Sequence, residues 1–238
     1  MFRCKQFEVA HDKCAMKVGT DSLLLGSWAQ PNDATLILDI GTGSGILALM
    51  MAQKSKLDAH VYAVDVDDGA IIQASENVSA SPWRNKVTTV HCALDDFDCD
   101  NPLDLIITNP PYFDAVDMTS SAFVRQTTQR SVARHEALLT PHALFTFSAK
   151  HLKSNGALYC VYPYNRAPLI LEEAKRCGLH ASRLMTVKHA RTSSPYLMAF
   201  CFSKKECDLN KEVLIIRDGN GDYTAGYKTL CRDFYLRF

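Results

Sequence analysis

From residue 34 to residue 178, short apolar runs alternate with stretches of helical periodicity. Residues 34–40 are an apolar run ending in an acid and then glycines, the pattern of a buried strand feeding a tight turn. After Gly45, the residues Ile46, Leu47, Leu49, Met50 and Met51 suit a helix packed on a sheet. Residues 60–66 predict a second strand, and Asp67 caps a helix in which Ala70, Ile71, Ala74 and Val78 recur at helical spacing. Residues 87–91 and 103–108 predict two more strands. Thr140 as cap and Pro141 as first helical residue open a longer helix that stops before Gly156 and yields to a strand over 157–162. Residues 169–177 read as a helix ending at Gly178. This alternation predicts an α/β fold with a doubly wound, mainly parallel sheet.

The last third changes character. Residues 181–189 and 196–203 are strand-like and joined by Thr192-Ser193-Ser194-Pro195, a link too short for a helical crossover, so the two pair antiparallel. Residues 213–216, a turn over 218–221 and an amphipathic stretch follow. Ahead of the first core strand, residues 7–10 read as extended and 20–28 as a helix capped by Thr20. The expected organisation is one domain over 1–238, with an N-terminal extension at 1–33, a core at 34–205 and a C-terminal extension at 206–238.

With 238 residues, 47% of them hydrophobic and 22% charged, the chain can build one core. Nine cysteines form an odd set without C-x-x-C, and Met1-Phe2-Arg3-Cys4 lacks the apolar run of a secretion signal. Reduced thiols and a cytoplasmic location are expected. No apolar stretch approaches the roughly 20 residues that span a bilayer. Lys plus Arg and Asp plus Glu each number 26, and that neutrality counts against a general nucleic-acid binder. A polyanion must therefore meet a local patch. Arg125, Arg130 and Arg134 form one candidate without acidic neighbours over 123–135; Lys228, Arg232 and Arg237, among Tyr227, Phe234, Tyr235 and Phe238, form another. Ordinary solvated faces are the competing explanation for each.

Two short segments carry the candidate chemistry. In Asp39-Ile40-Gly41-Thr42-Gly43-Ser44-Gly45, the glycines let the backbone turn sharply and leave room for a ligand where a side chain would collide. The helix that follows offers free amides and the positive end of its dipole. Asp65, ending the next strand, can accept hydrogen bonds from both hydroxyls of a ribose. The spacing differs from the G-x-G-x-x-G of dinucleotide sites, which turns the choice from NAD towards S-adenosylmethionine. A plain strand-to-helix turn is the alternative.

Asn109-Pro110-Pro111-Tyr112 follows another buried strand. The two prolines fix the direction of the Pro110 carbonyl, giving a rigid pair of acceptors with the Asn109 side-chain oxygen. Accepting both N–H groups of an exocyclic amine would aim its lone pair at a methyl donor. Tyr112 offers a face on which a flat group can stack. The target base would be flipped out or already in a loop. A plain turn is again the competing reading. No metalloprotease, Walker, paired C-x-x-C or G-x-S-x-G motif is present, and isolated histidines such as His11, His135 and His189 do not make a metal site. Neither a metal nor a catalytic His or Cys is expected. Tyr162-Pro163-Tyr164 is read as strand-end packing, with a place at the substrate rim left open.

These motifs resemble class I S-adenosylmethionine-dependent methyltransferases of the amino-methylating group. With Phe7-Glu8-Val9-Ala10-His11-Asp12, the string Met16-Lys17-Val18-Gly19-Thr20-Asp21-Ser22-Leu23-Leu24-Leu25-Gly26 and the ending Asp233-Phe234-Tyr235-Leu236, nearly the whole chain resembles the bacterial tRNA1(Val) (adenine(37)-N6)-methyltransferases. The resemblance implies a seven-stranded Rossmann-like sheet with an antiparallel last strand, and small additions at both ends, of which residues 1–33 cap the cofactor site. It implies that Asp39, Gly41, Gly43 and Gly45 line the methionine end of S-adenosylmethionine, that Asp65 and Val66 meet its ribose side, and that Ala93 and Leu94 flank its adenine. Thr20 would touch its carboxylate, and Asn109 to Tyr112 would hold the substrate adenine, with Asn109 also at the cofactor. The implied partner is valine tRNA, with a monomer and no membrane expected. Competing readings are a protein glutamine-N5, rRNA guanine-N2 or DNA adenine methyltransferase, a nicotinamide-dependent oxidoreductase and a non-catalytic cofactor-binding module.

Overall fold

The computed structural model describes residues 1–99, 101–111 and 139–237. A short antiparallel pair, β1 (Phe2–Arg3) and β2 (Glu8–Val9), leads to α1 (Thr20–Trp28). The core then runs β3 (Leu36–Ile40), α2 (Ile46–Lys54), β4 (His60–Asp65), α3 (Asp68–Ser79), β5 (Val87–His91) and β6 (Leu103–Thr108). After it come α4 (Pro141–His151), β7 (Leu152–Pro163), α5 (Ala167–Arg176), β8 (His180–Ala190), β9 (Pro195–Ser203), β10 (Asn210–Arg217) and α6 (Ala225–Cys231).

The main sheet has the order β10-β8-β9-β7-β6-β3-β4-β5. Only β9 runs against its neighbours, β7 and β8, and every other pair is parallel. Eight strands stand where seven are expected, because β10 adds to the edge beside β8. Its apolar run covers only 213–216, yet Leu214 and Ile216 bury on the core side while Val213 is 66% exposed, and main-chain pairing carries the strand out to Asn210 and Arg217.

Helices cover both faces. Leu23 to Leu25 and Trp28 of α1, the length of α2, and Tyr227 and Cys231 of α6 belong to one core cluster; Leu144, Phe145 and Phe147 of α4 with Ile170 and Ala174 of α5 belong to the other. Every residue from Ile46 to Ala52 is buried, because α1 packs against α2 as well as the sheet. The approach is close enough that a methyl group at Gly26 would collide with the Met50 side chain. The N-terminal segment is therefore part of the core, and overpacking it at Gly26 should cost about 1–3 kcal/mol.

Local signals place most boundaries. Asp67 Oδ1 accepts from the Ala70 amide at 2.8 Å, and Thr140 Oγ1 accepts from that of Ala143 at 3.1 Å, so both expected caps are in place. Two expectations change. Gly19, not Thr20, occupies the N-cap of α1, and Thr20 is its first helical residue. The helix expected to run up to Gly156 stops at His151, and β7 starts at Leu152. Gly156 is no helix terminator: a side chain there would press on the Leu103 carbonyl at 2.9 Å, where the β6–β7 register shifts.

Candidate active site

Ile40 lies opposite Thr108 on neighbouring parallel strands, so the glycine turn and Asn109 leave the same sheet edge side by side. Val64 lies opposite Ile40, and Asp65 opposite His91. Four strand ends thus present Asn109, the glycine turn, Asp65 and the Ala93-Leu94 segment in one row, at the carboxyl edge where open α/β sheets take ligands.

All three glycines of the turn have positive φ: 65° at Gly41, 54° at Gly43 and 81° at Gly45. Side chains at Gly41 or Gly43 would enter open space, whereas one at Gly45 would meet Ala74 Cβ of α3 at 3.4 Å. The first two therefore leave a cradle for a ligand, and the third allows close packing between helices. Asp39 is fully buried beneath them. Its Oδ2 accepts from Thr42 Oγ1 at 2.6 Å and from the Ala48 amide at 3.0 Å, tying the turn to the first turn of α2. Its Oδ1 is buried without a hydrogen-bond partner in the described structure.

Burial raises the Asp39 carboxyl to about 7; the bonds from Thr42 and Ala48 oppose this and the charge of Asp65 adds to it. Because the folded value lies above the unfolded one, the native state holds the extra proton between pH 4 and 7. Stability then falls as pH rises through that window, by about 4 kcal/mol at most. Urea unfolding of wild type and Asp39→Asn across pH 4–7 checks this: the decline should vanish in the variant, and parallel profiles would refute it.

Asp65 ties the turn to the next strand. Its Oδ2 accepts from the Gly43 amide at 2.8 Å and its Oδ1 from that of Asp67 at 3.0 Å. Each oxygen keeps a second lone pair for a hydroxyl. Beyond it, Val66 is 45% exposed, and its carbonyl lies 3.1 Å from His91 Nε2. Ala93 caps a single turn of 3-10 helix over Leu94–Asp96 at the end of β5. The cradle at Gly41 and Gly43, the carboxylate of Asp65 and the unpartnered Asp39 oxygen fit a nucleoside ligand such as S-adenosylmethionine.

Asn109 Nδ2 donates to Ser22 Oγ at 2.9 Å. Pro110 is buried and Pro111 half-buried. Thr20 is exposed one turn-position before Asp21 and Ser22, beside this contact. Asn77 of α3 joins the N-terminal segment to the glycine turn: Nδ2 donates to the Ala10 and Ser44 carbonyls at 2.8 Å each, and Oδ1 accepts from the Ala10 amide at 2.9 Å. Sequence reasoning gives neither Ser22 nor Asn77 a role, because each sits among other polar residues of its helix, Thr20 and Asp21 in α1 and Gln73, Ser75 and Glu76 in α3, with no spacing signal to single it out.

Tyr112, Arg125, Arg130 and Arg134 lie outside the described residues. Lys228, Arg232 and Arg237 are exposed, but Tyr227 and Phe234 of that stretch are core residues. Arg232 lines a hollow of about 510 Å³ with Lys5, Gln53, Lys54 and Asp233, at the end of α2 away from the glycine turn. That is about 13 Å, one nine-residue helix, from the cradle. All nine cysteines are free. Among the described residues His142, Glu173 and Cys177 group together on α4 and α5, with His142 Nδ1 paired to Glu173 at 2.7 Å. No helix of the described residues is long and apolar enough to cross a membrane.

Residues 14–176 match the family model described as "Methyltransferase small domain". The chain is 41% identical over 237 residues to the tRNA1(Val) (adenine(37)-N6)-methyltransferase of Bacteroides thetaiotaomicron, covering 99% of this chain and 97% of that protein. It is 36% identical over 240 residues to the Histophilus somni protein of the same name, covering 100% and 98%. Among solved structures, the ribosomal protein L11 methylase of Lactobacillus delbrueckii subsp. bulgaricus superposes with a TM-score of 0.55 at 18% identity, over 82% of this chain and 83% of that one, a likeness of fold. With full-length identity at this level and the strand-end row in place, the chain belongs to the tRNA1(Val) (adenine(37)-N6)-methyltransferase family.

Proposed function

We propose that the chain transfers a methyl group from S-adenosylmethionine to N6 of an adenine, that of position 37 in the anticodon loop of a valine tRNA. The observation that carries the reading is the Ile40–Thr108 register, which sets the glycine turn beside Asn109 in a chain whose full-length relatives bear that name. S-adenosylmethionine supplies an electrophilic methyl on a sulfonium. Gly41, Gly43 and Asp39 would hold its methionine end, with Thr20 at the carboxylate; Asp65 and Val66 would hold the ribose side, and Ala93 and Leu94 the adenine.

Asn109 Oδ1 and the Pro110 carbonyl accept the two N–H groups of the substrate amine, and Pro111 and Tyr112 complete its pocket. Holding both N–H groups aims the nitrogen lone pair at the methyl. Once methylated, the nitrogen would lose its proton to solvent, so the side chains would supply orientation rather than a strong base. Residues 1–33 act as the cap: Ser22 sets the Asn109 amide, and the Asn77 bridge fastens Ala10 to the glycine turn. A cytoplasmic monomer acting on tRNA fits this reading.

Labelled S-adenosylmethionine offered in parallel to unmodified valine tRNA, bulk rRNA, DNA and release factor tests it. N6-methyladenosine at position 37 of the tRNA is the expected product; label in guanine or glutamine would overturn the assignment. Arg125, Arg130 and Arg134 are proposed as phosphate contacts, as are Lys228, Arg232 and Arg237. Replacing the first three with alanine should flatten the slope of log affinity against log salt by about 2, at roughly 0.7 per single-strand phosphate lost. An unchanged slope would move the RNA surface away from that segment.

A further inference from the structure

We propose that the tip of the β8–β9 hairpin is a stacking ledge for a nucleobase next to the target adenine in the RNA loop. This inference rests on the methylation of an RNA base proposed above.

At the tip, Val187 pairs with Leu197 and Lys188 with Pro195, so the register skips Tyr196. The bulge turns that extra residue onto its neighbour on β8: the rings of His189 and Tyr196 lie parallel, 4.0 Å apart and 4° from coplanar. Tyr196 is the inner member, half-buried against the core cluster that holds α1. Burial, with the charge of Asp21, pushes its hydroxyl to about 12, so it stays a neutral ring. His189 is exposed and covers one face of that ring.

Registers locate the ledge relative to the reacting centre. Thr108 lies opposite Cys160, and Cys160 opposite Phe200. Tyr196 stands four residues beyond Phe200, about 13 Å above the rim, and β9 is two strand spacings, roughly 10 Å, from β6. A base held at Asn109 cannot reach that far, so the ledge suits a different base of the same loop. Both places adjoin the first turn of α1: Ser22 bonds Asn109, and the preceding Asp21 lies within electrostatic reach of His189 and Tyr196.

The surroundings favour RNA. Residues 188–196 contain Lys188 and Arg191 and no acidic residue. Lys188 Nζ donates to the Arg191 carbonyl at 3.0 Å, which braces the turn, and Arg191 is exposed beside the rings. Asp21 is the acidic group facing the pair from α1; burial raises its carboxyl and the charge of His189 opposes this. A base stacked on His189 would extend the two-ring pile while its phosphate lies towards Arg191.

A valine-tRNA anticodon stem-loop with 2-aminopurine beside the target adenine reads the stacking by its fluorescence. Wild type should quench the probe on binding, and His189→Ala should lose the quench and raise KM for RNA about ten-fold with kcat at saturation unchanged. His189→Trp should restore both. Replacing the same nucleotide with an abasic one should raise KM equally in wild type and add nothing further in His189→Ala, a comparison that holds even where the variant is less stable. A wild-type quench and KM in His189→Ala, or fully additive losses in the cycle, would overturn the ledge. Absence of N6-methyladenosine with the wild-type enzyme would instead overturn the underlying function.

Discussion

Asn109→Ala should lower kcat about 10²–10³-fold while the Kd for S-adenosylmethionine stays within about two-fold of wild type. Removing one preorganised partner of a charge developing in the transition state carries a cost of this size. Here the developing charge is positive, on the amine nitrogen, and the lost partner is Asn109 Oδ1. The truncation also frees Ser22 Oγ, which currently accepts from Asn109 at 2.9 Å, but leaves the glycine cradle and Asp65 intact. Single-turnover rates beside equilibrium binding of the cofactor separate the two quantities. A large loss of cofactor affinity would contradict the division of labour, and so would an unchanged kcat.

Asp65→Ala should do the converse, raising the Kd for S-adenosylmethionine by about 10²-fold or more. Two charge-assisted hydrogen bonds to ribose hydroxyls, each contributing about 1.5–3 kcal/mol, disappear with the carboxylate. The turn loosens as well, because the Gly43 and Asp67 amides lose their acceptor. Asp65→Asn should be nearly as damaging. Each carboxylate oxygen takes a backbone N–H, so an amide in either orientation sets its own NH2 against one of those donors. Calorimetric titration of the two variants checks this, and an Asn variant with wild-type affinity would show that the carboxylate is not engaged on both sides.

The strand-end row was legible because its signals are local. An apolar run ending in Asp39 and three glycines can only turn sharply, and Asn109 after residues 103–108 must emerge at a strand end; that both emerge at the same edge follows from the two strands running parallel. Asp67 and Thr140 announce their helices through the hydrogen bond each side chain accepts from a backbone N–H of its own first turn. Gly156 misled for the same reason: a glycine reads alike whether it ends a helix or admits the Leu103 carbonyl of a neighbouring strand.

Sequence alone therefore determined the alternation of strands and helices, the glycine turn and the place of Asn109 at a strand end, since each is read from the pattern of residues a few positions apart. Tertiary structure decided what depends on residues far apart in the chain. Ser22 meets Asn109 across 87 positions, Asn77 joins Ala10 to Ser44, and β10 becomes an eighth strand by pairing with β8. Those contacts have no periodicity to betray them, because a hydrogen bond across the fold is specified by the packing of whole elements and not by the spacing of residues within one.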